Sequence, residues 1–428
     1  MKNTQVLLLA GGLGTRMAPL EACKSLISFA GKPICRYIFD DMKKAGFNNF
    51  KIICNKKHLG KMKKAFKGEK ANIKFYIQKN IPGMAGAVLS VPDLGSKPLI
   101  VVNAEDLLHP QAYVDFSKLV KKKKSKMIIA GIFKKKYFPG GYLKLNGSKI
   151  TGLVERPKPD SQPSNYIKLV HDYFSDPQQF VAYLKKAVSS KDDLYEVAID
   201  NMLKNKVNTE IYKYDNYWQS LKYPWHILEM MELILSKRLK KKISSDAEIH
   251  KSAIIDGPVV IEPGVKVFER AVIKGPAFIG RNSIIGTNSF VRESNIAENC
   301  LVGYNSEVAR SWIGNNCWLH NNYIGDSVLE NNAHLGCGAV TANFRFDGEK
   351  ISVKKNNRKI NTKRFKFGAV LAQNVRVGVN ASLMPGISVG SSSFVGSGIV
   401  LNKNLDNNKY TTIAKKAYSI SNLAVDKK

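Results

Sequence analysis

At 428 residues the chain is long enough for two domains with separate cores, and it carries a formal net charge of +33. That charge reads as solvated surface, not a nucleic-acid interface. Lysine far outnumbers arginine, asparagine is abundant as under an A/T-rich coding bias, and the basic runs at 121–124, 134–136 and 240–242 lack base-stacking aromatics between them. No run approaches 18 apolar residues, so no membrane-spanning helix is expected. The six cysteines show no metal-ligand spacing, so free thiols in a reducing, cytoplasmic compartment are expected, without structural zinc. The positive field would attract phosphorylated substrates.

In chain order, residues 5–10, 51–54, 99–102 and 127–132 read as strands, with helical periodicity at 33–45 and 56–66 between them. That alternation predicts an α/β, Rossmann-like domain over residues 1–235, with a mostly parallel sheet covered by helices. The run Val6-Leu7-Leu8-Leu9-Ala10 is too short for a signal-peptide core and runs into glycines, so it predicts a buried first strand. Next comes Gly11-Gly12-Leu13-Gly14-Thr15-Arg16-Met17, then Lys24 and Gly31-Lys32-Pro33. Glycines around a turn let backbone N–H groups approach a polyphosphate, and Arg16 and Lys24 can neutralise it. The spacing fits neither a dinucleotide-binding fingerprint nor a Walker loop.

Residues 236–246 are basic and polar and read as a linker. From Ile255 an aliphatic residue then returns every sixth position: Ile261, Val267, Ile273, Ile279, Ile285, Val291. The phase slips once near Asn295 and locks again as Leu371, Val377, Leu383, Val389, Val395, Leu401. A period of six fits a solenoid in which each short strand turns a corner and stacks one inward side chain on the next coil. A parallel β-helix is therefore predicted over 247–410, interrupted by a basic excursion between Asn343 and Gly368 and followed by a polar tail, 411–428. Within it stand His320-Asn321-Asn322-Tyr323-Ile324-Gly325-Asp326 and, further on, Thr341-Ala342-Asn343. A neutral imidazole is the usual general base for deprotonating an amine, and the excursion offers cations to a phosphate. A plain corner or surface role for His320 is the alternative.

The N-terminal string resembles that of the sugar-phosphate nucleotidylyltransferases. The resemblance implies that Gly11, Gly12, Gly14 and Thr15 hold the triphosphate, and that Arg16 and Lys24 stabilise the transferring phosphoryl group. It implies base reading by Gln78 and Gly83, sugar binding by Gly141 and Glu155, and Mg²⁺ held by Glu105 or Asp106. Tyr217-Trp218 and Pro224-Trp225 resemble the stretch that closes that domain. Several positions depart from the pattern: Ala104-Glu105 stands for Gly-Asp, Met84 for threonine, Lys168 for asparagine, and Ser220 for the second metal ligand.

The stretch around His320 resembles the acetyltransferase half of the bifunctional enzymes of UDP-N-acetylglucosamine synthesis, in their shorter archaeal-type form. That likeness implies a left-handed parallel β-helix of hexapeptide repeats, a homotrimer, and acetyl-CoA lying along the coils. It implies His320 as general base, with Tyr323, Asn343 and Lys350 as sugar-phosphate contacts. Here His334 stands for an asparagine, Glu349 (beside Lys350) for a lysine, and Val308 (near Arg310) for another. Together the two likenesses imply a bifunctional enzyme. It would acetylate an amino-sugar 1-phosphate, glucosamine 1-phosphate first among them, and join the sugar phosphate to a nucleotide from UTP. Two alternatives stay open: a chain with only one half active, the acetyltransferase first among them, and a non-catalytic regulatory or binding protein like the exchange-factor subunits of translation initiation, which share the domain pair.

Overall fold

A computed structural model of the chain describes residues 3–79, 83–122, 124–355, 358–412 and 417–419. It divides into two compact units, one of Met1–Leu13, Cys23–Ile27 and Pro33–Trp218, the other of Gly14–Ala22, Ser28–Lys32 and Gln219–Lys428.

The first unit is built on nine strands: β1 (Gln5–Ala10), β2 (Asn49–Cys54), β3 (Asn72–Ile77), β4 (Leu99–Asn103), β5 (Met127–Phe133), β6 (Gly141–Asn146), β7 (Lys149–Glu155), β8 (Tyr166–Phe174) and β9 (Thr209–Tyr214). Their order is β7-β6-β8-β4-β1-β2-β3, with β5 pairing both β8 and β9. All six residues of β1 are buried, as a central strand covered on both faces requires. The strands β4-β1-β2-β3 are parallel, as the alternation predicts. The sheet as a whole is mixed, because β8 runs antiparallel to β4, β5 and β6, and β6–β7 is a hairpin. Helix Ile34–Lys44 turns Ile38, Phe39 and Met42 inward, and the Phe39 ring lies 4.4 Å from Phe50 on β2. His171 on β8 is also core: it packs edge-on to Tyr113 and Phe116, and burial drives its pKa down to about 3, so the ring stays neutral.

The second unit is a three-sided parallel β-helix of the left-handed, hexapeptide-repeat kind. Three sheets run its length, the first starting at Lys242–Ile243, the others at Glu248–Ile249 and Ile254–Asp256. Lys242 and Ile243 pair with Val260 and Ile261, so the first rung lies within the basic linker segment, directly after helix His226–Arg238. Every coil pairs in register with the next, and the inward aliphatics (Ile261, Ile279, Ile296, Ile313, Leu329, Leu371, Val389) stack into one buried column. The registers correct the reading of a single phase slip. Val291 to Ile296, Val308 to Ile313, Leu319 to Ile324 and Ile324 to Leu329 each span five residues instead of six. Each deletion falls at a corner, because a residue lost from the ladder would leave the inward column without its methyl groups.

Many corners are asparagines at positive φ, among them Asn282, Asn299, Asn332 and Asn374. Asparagine tolerates that conformation better than most side chains. Their amides bond from coil to coil, Asn282 to Asn299 at 3.3 Å and Asn332 to Asn374 at 2.8 Å. Part of the asparagine content read as coding bias therefore has a structural use. The basic excursion leaves and re-enters the solenoid at one point: Phe367 N–H donates to the Asn343 carbonyl. Its strands Ser352–Lys355 and Arg358–Asn361 form a hairpin. Strand Lys409–Thr411 runs from the predicted end of the solenoid into the polar tail and pairs with Ala417–Ser419; residues 413–416 and 420–428 of the tail lie outside the described residues. All six cysteines are free thiols, and only Cys337 among them is exposed. Among the described residues no helix is long and apolar enough to cross a membrane.

Candidate active sites

In the first unit, Gly11 at the end of β1, Gln78 just after β3 and Gly83 converge. A Cβ on Gly11 would collide with Gln78 Oε1, so this glycine is what lets the Gln78 amide lie against the loop. Gln78 Nε2 donates to the Gly83 carbonyl at 3.0 Å, joining the two residues read as the base-reading pair. Gly12 has open space around its α-carbon, as close approach of a phosphate requires. Lys24 is ion-paired with Glu105, and both side chains are mostly buried. The lysine assigned to phosphate and one carboxylate assigned to Mg²⁺ thus neutralise each other. Asp106, buried at the start of strand Asp106–Leu108, is the second carboxylate of that segment. Gly14, Thr15 and Arg16 group with the second unit, where Thr15–Met17 forms a short 3-10 turn and Arg16 is exposed. Ser220 is buried.

The predicted sugar residues do meet. Gly141 and Glu155 pair across β6 and β7, and a Cβ on Gly141 would sit 2.9 Å from Glu155 Oε2 and 3.8 Å from Lys168 Cβ. What the residues alone did not reveal is how Lys168 is used. Its ammonium donates to Asp172 Oδ2 at 2.5 Å and to the Leu169 carbonyl at 3.2 Å, and Tyr195 OH donates to the same Asp172 oxygen at 2.8 Å. Burial raises the Asp172 carboxyl, against the pull of Lys168 and Tyr195. Glu196 belongs to the same group: burial raises its pKa to about 7, Lys168 opposing and Glu155 adding to the shift. The sugar-binding neighbourhood therefore carries an ion pair where the resemblance expects an amide.

In the second unit His320 is exposed at the corner after strand Trp318–Leu319. Asn322 fixes that corner: its Oδ1 accepts the His320 backbone N–H, and its Nδ2 donates to the carbonyls of Gly336 and Ala339, both at 2.8 Å. Tyr323 and Asn343 are brought together, Asn343 Nδ2 donating to Tyr323 OH at 3.2 Å and to Asp326 Oδ2 at 2.6 Å. Asp326, 1% exposed, is gripped from its other side by the Arg310 fork, Nε to Oδ1 at 2.9 Å and Nη2 to Oδ2 at 2.7 Å. In the sequence Arg310 stands only as a cation near Val308; in the structure it holds Asp326. Lys350 is exposed on the excursion, its ammonium 5.3 Å from the centre of the Phe365 ring.

His334 sits one coil beyond Trp318, in register with it, and the two rings stack at 4.7 Å and 2°. Burial first, then Arg376 on the following coil, lowers its pKa to about 4, so the ring is neutral at physiological pH. Among the described residues no group of three or more His, Cys, Asp or Glu side chains is arranged to hold a metal. Glu105 with Asp106 still fits Mg²⁺, which commonly takes one or two carboxylates and completes its shell with substrate phosphates and water.

A nucleotidyl transferase family matches residues 5–234. Over 421 residues the chain is 30% identical to the bifunctional protein GlmU of Methanocaldococcus jannaschii, spanning 94% of this chain and 96% of that one. The bifunctional protein GlmU of Methanococcus aeolicus is 29% identical over 424 residues, 94% of this chain and 96% of its own. A bifunctional sugar-1-phosphate nucleotidylyltransferase/acetyltransferase of Sulfurisphaera tokodaii is 27% identical over 410 residues, 93% of this chain and 97% of its own.

Proposed function

This chain belongs to the GlmU family of bifunctional sugar-1-phosphate nucleotidylyltransferase/acetyltransferase proteins, and from that premise we propose that it acetylates glucosamine 1-phosphate with acetyl-CoA and transfers the uridylyl group of UTP to the product. The observation that carries the reading is the corner held by Asn322, which presents His320 to solvent on the solenoid that also seats Tyr323 and Asn343. In acyl transfer His320 takes a proton from the sugar's ammonium group, and the freed amine attacks the thioester carbonyl. The adduct nitrogen then gives up its second proton, the C–S bond breaks and the coenzyme A sulfur takes up a proton, so coenzyme A leaves as the thiol and the proton held by His320 passes to solvent. Tyr323, Asn343 and Lys350 orient the sugar phosphate.

In nucleotidyl transfer an oxygen of the sugar phosphate attacks the α-phosphorus of UTP and pyrophosphate leaves. Gly11, Gly12, Gly14 and Thr15 offer backbone N–H groups to the triphosphate, Arg16 and Lys24 neutralise charge at the reacting phosphorus, Gln78 and Gly83 read the base, and Gly141 and Glu155 bind the sugar. Mg²⁺ would be held by Asp106 and Glu105, supplying further charge neutralisation when bound; Lys24 leaves Glu105 for phosphate. The active form is a cytoplasmic homotrimer, in which neighbouring prisms wall the acyl site.

The test is product analysis with purified protein, acetyl-CoA, glucosamine 1-phosphate and UTP. His320→Ala is expected to lower coenzyme A release by about 10²–10⁴-fold while leaving pyrophosphate release intact. Arg16→Ala is expected to lower Mg²⁺-dependent pyrophosphate release by about 2–4 kcal/mol of barrier. A wild type that releases no coenzyme A with any amino-sugar phosphate ends the acyltransferase reading. A second reading, with the acetyltransferase half alone active, is favoured by the Lys168–Asp172 pair at the sugar residues; normal coenzyme A release without pyrophosphate release would select it.

A further inference from the structure

The second unit contains a cavity of about 560 Å³ that none of the residues assigned to either reaction lines. It is lined by Leu228, Met231 and Leu235 of helix His226–Arg238 and by Phe365 on the stretch by which the excursion returns. Asp326 also lines it, already held by the Arg310 fork. The remaining cations, Lys363, Arg364 and Lys366, outnumber the remaining acids, Glu232 and Glu293. Arg364 reaches only to 3.8 Å from Asp326, so its guanidinium is not committed to a fork. A lining that combines apolar side chains with an excess of cations suits a ligand that has an apolar body and an anionic head.

Asp326 links the cavity to the proposed acyl site. Asp326 Oδ2 accepts from Arg310 on the cavity side and from Asn343 on the other, and Asn343 also holds Tyr323. Whatever draws arginine charge away from Asp326 changes how firmly that oxygen holds Asn343. We propose that the cavity is a binding site for a small amphipathic anion, and that its occupancy adjusts Asn343 and Tyr323 through Asp326. The binding stands on the cavity alone; its effect on turnover rests on the acyl-transfer reading.

The probe is 8-anilinonaphthalene-1-sulfonate, which has the required body and head and fluoresces when shielded from water. One saturable site per chain is expected, with binding not reversed by acetyl-CoA. The exposed pair changed together, Lys363→Glu with Lys366→Glu, should weaken it by about tenfold, or about 1.4 kcal/mol. Phe365→Ala, also at an exposed position, should weaken it through loss of the apolar wall. In the wild type, the rate of coenzyme A release should change over the same range of probe concentration. Binding that does not saturate, that is unaffected by the double charge reversal, or that acetyl-CoA displaces, overturns the site. Binding with no change in rate overturns the route through Asp326. If the wild type releases no coenzyme A at all, the acyl-transfer reading fails, and the fluorescence titration still decides the cavity.

Discussion

Asp172 in the first unit and Asp326 in the second are both buried acids beside proposed substrate residues, but they are held by different chemistry. Asp172 faces the single ammonium of Lys168 and a tyrosine hydroxyl on one oxygen. Asp326 receives a two-point guanidinium fork on both oxygens and an asparagine amide besides. A lysine is a point charge on a flexible stem, whereas an arginine fork fixes the plane of the carboxylate. The first arrangement leaves its acid with a raised pKa, a site that yields to protonation; the second builds a fixed post from which Asn343 can be aimed.

Removing the cation from each acid tests that contrast most strongly. Arg310→Ala leaves a buried carboxylate without its partner and is expected to cost about 3–5 kcal/mol in urea unfolding, with Arg310→Lys recovering only part. Lys168→Ala should cost less, about 1–3 kcal/mol at pH 7, and its deficit should shrink towards pH 5. The sign follows from the raised Asp172 carboxyl. The folded state keeps that proton to higher pH than the unfolded chain, whose value is about 4, so the stability it brings is complete below that value and drains as pH rises through the folded one. Losing Lys168 raises the carboxyl further and deepens the loss at neutral pH. An Arg310→Ala protein more stable than Lys168→Ala at pH 7 would break the comparison.

Glu196 provides a milder probe of the same yielding cluster. Its carboxyl is raised to about 7, so the wild type should lose stability as pH climbs from 6 to 8. Glu196→Gln should flatten that slope and gain about 1 kcal/mol at pH 8, read from thermal unfolding at the two pH values. The smallest effect is expected at His334. Its ring is already neutral above about pH 4, so His334→Gln should leave the shape of the acyl-transfer pH profile unchanged above pH 6 and the rate within about threefold, well short of the loss assigned to a general base. A profile that shifts would transfer the general-base role from His320 to His334.

The β-helix was legible because each coil repeats the same burial problem, and the aliphatics show where it recurs. The shortened sides were less so, since a corner deletion resembles one phase slip until ladder partners are known. Gln78 with Gly83, and Gly141 with Glu155, were placed together by motif order and do meet. The Lys168–Asp172 pair was not legible. In an extended strand residues four apart lie about 13 Å from each other, and only the irregular pairing of β8 between them lets the side chains meet. The Arg310–Asp326 fork was hidden for a related reason: the partners are sixteen residues apart and meet only because one coil lies on the next.

The excursion between Asn343 and Gly368 departs from the prism and returns to it without altering the ladder. Thr341 on one coil pairs with Leu383 on the next as closely in register as neighbours with no insertion between them. Stacking fidelity and loop content are therefore separate inheritances. Such a graft point can accept a longer, shorter or differently charged arm while the column beneath it stays whole, so the chemistry borne on the arm can diverge faster than the scaffold that carries it.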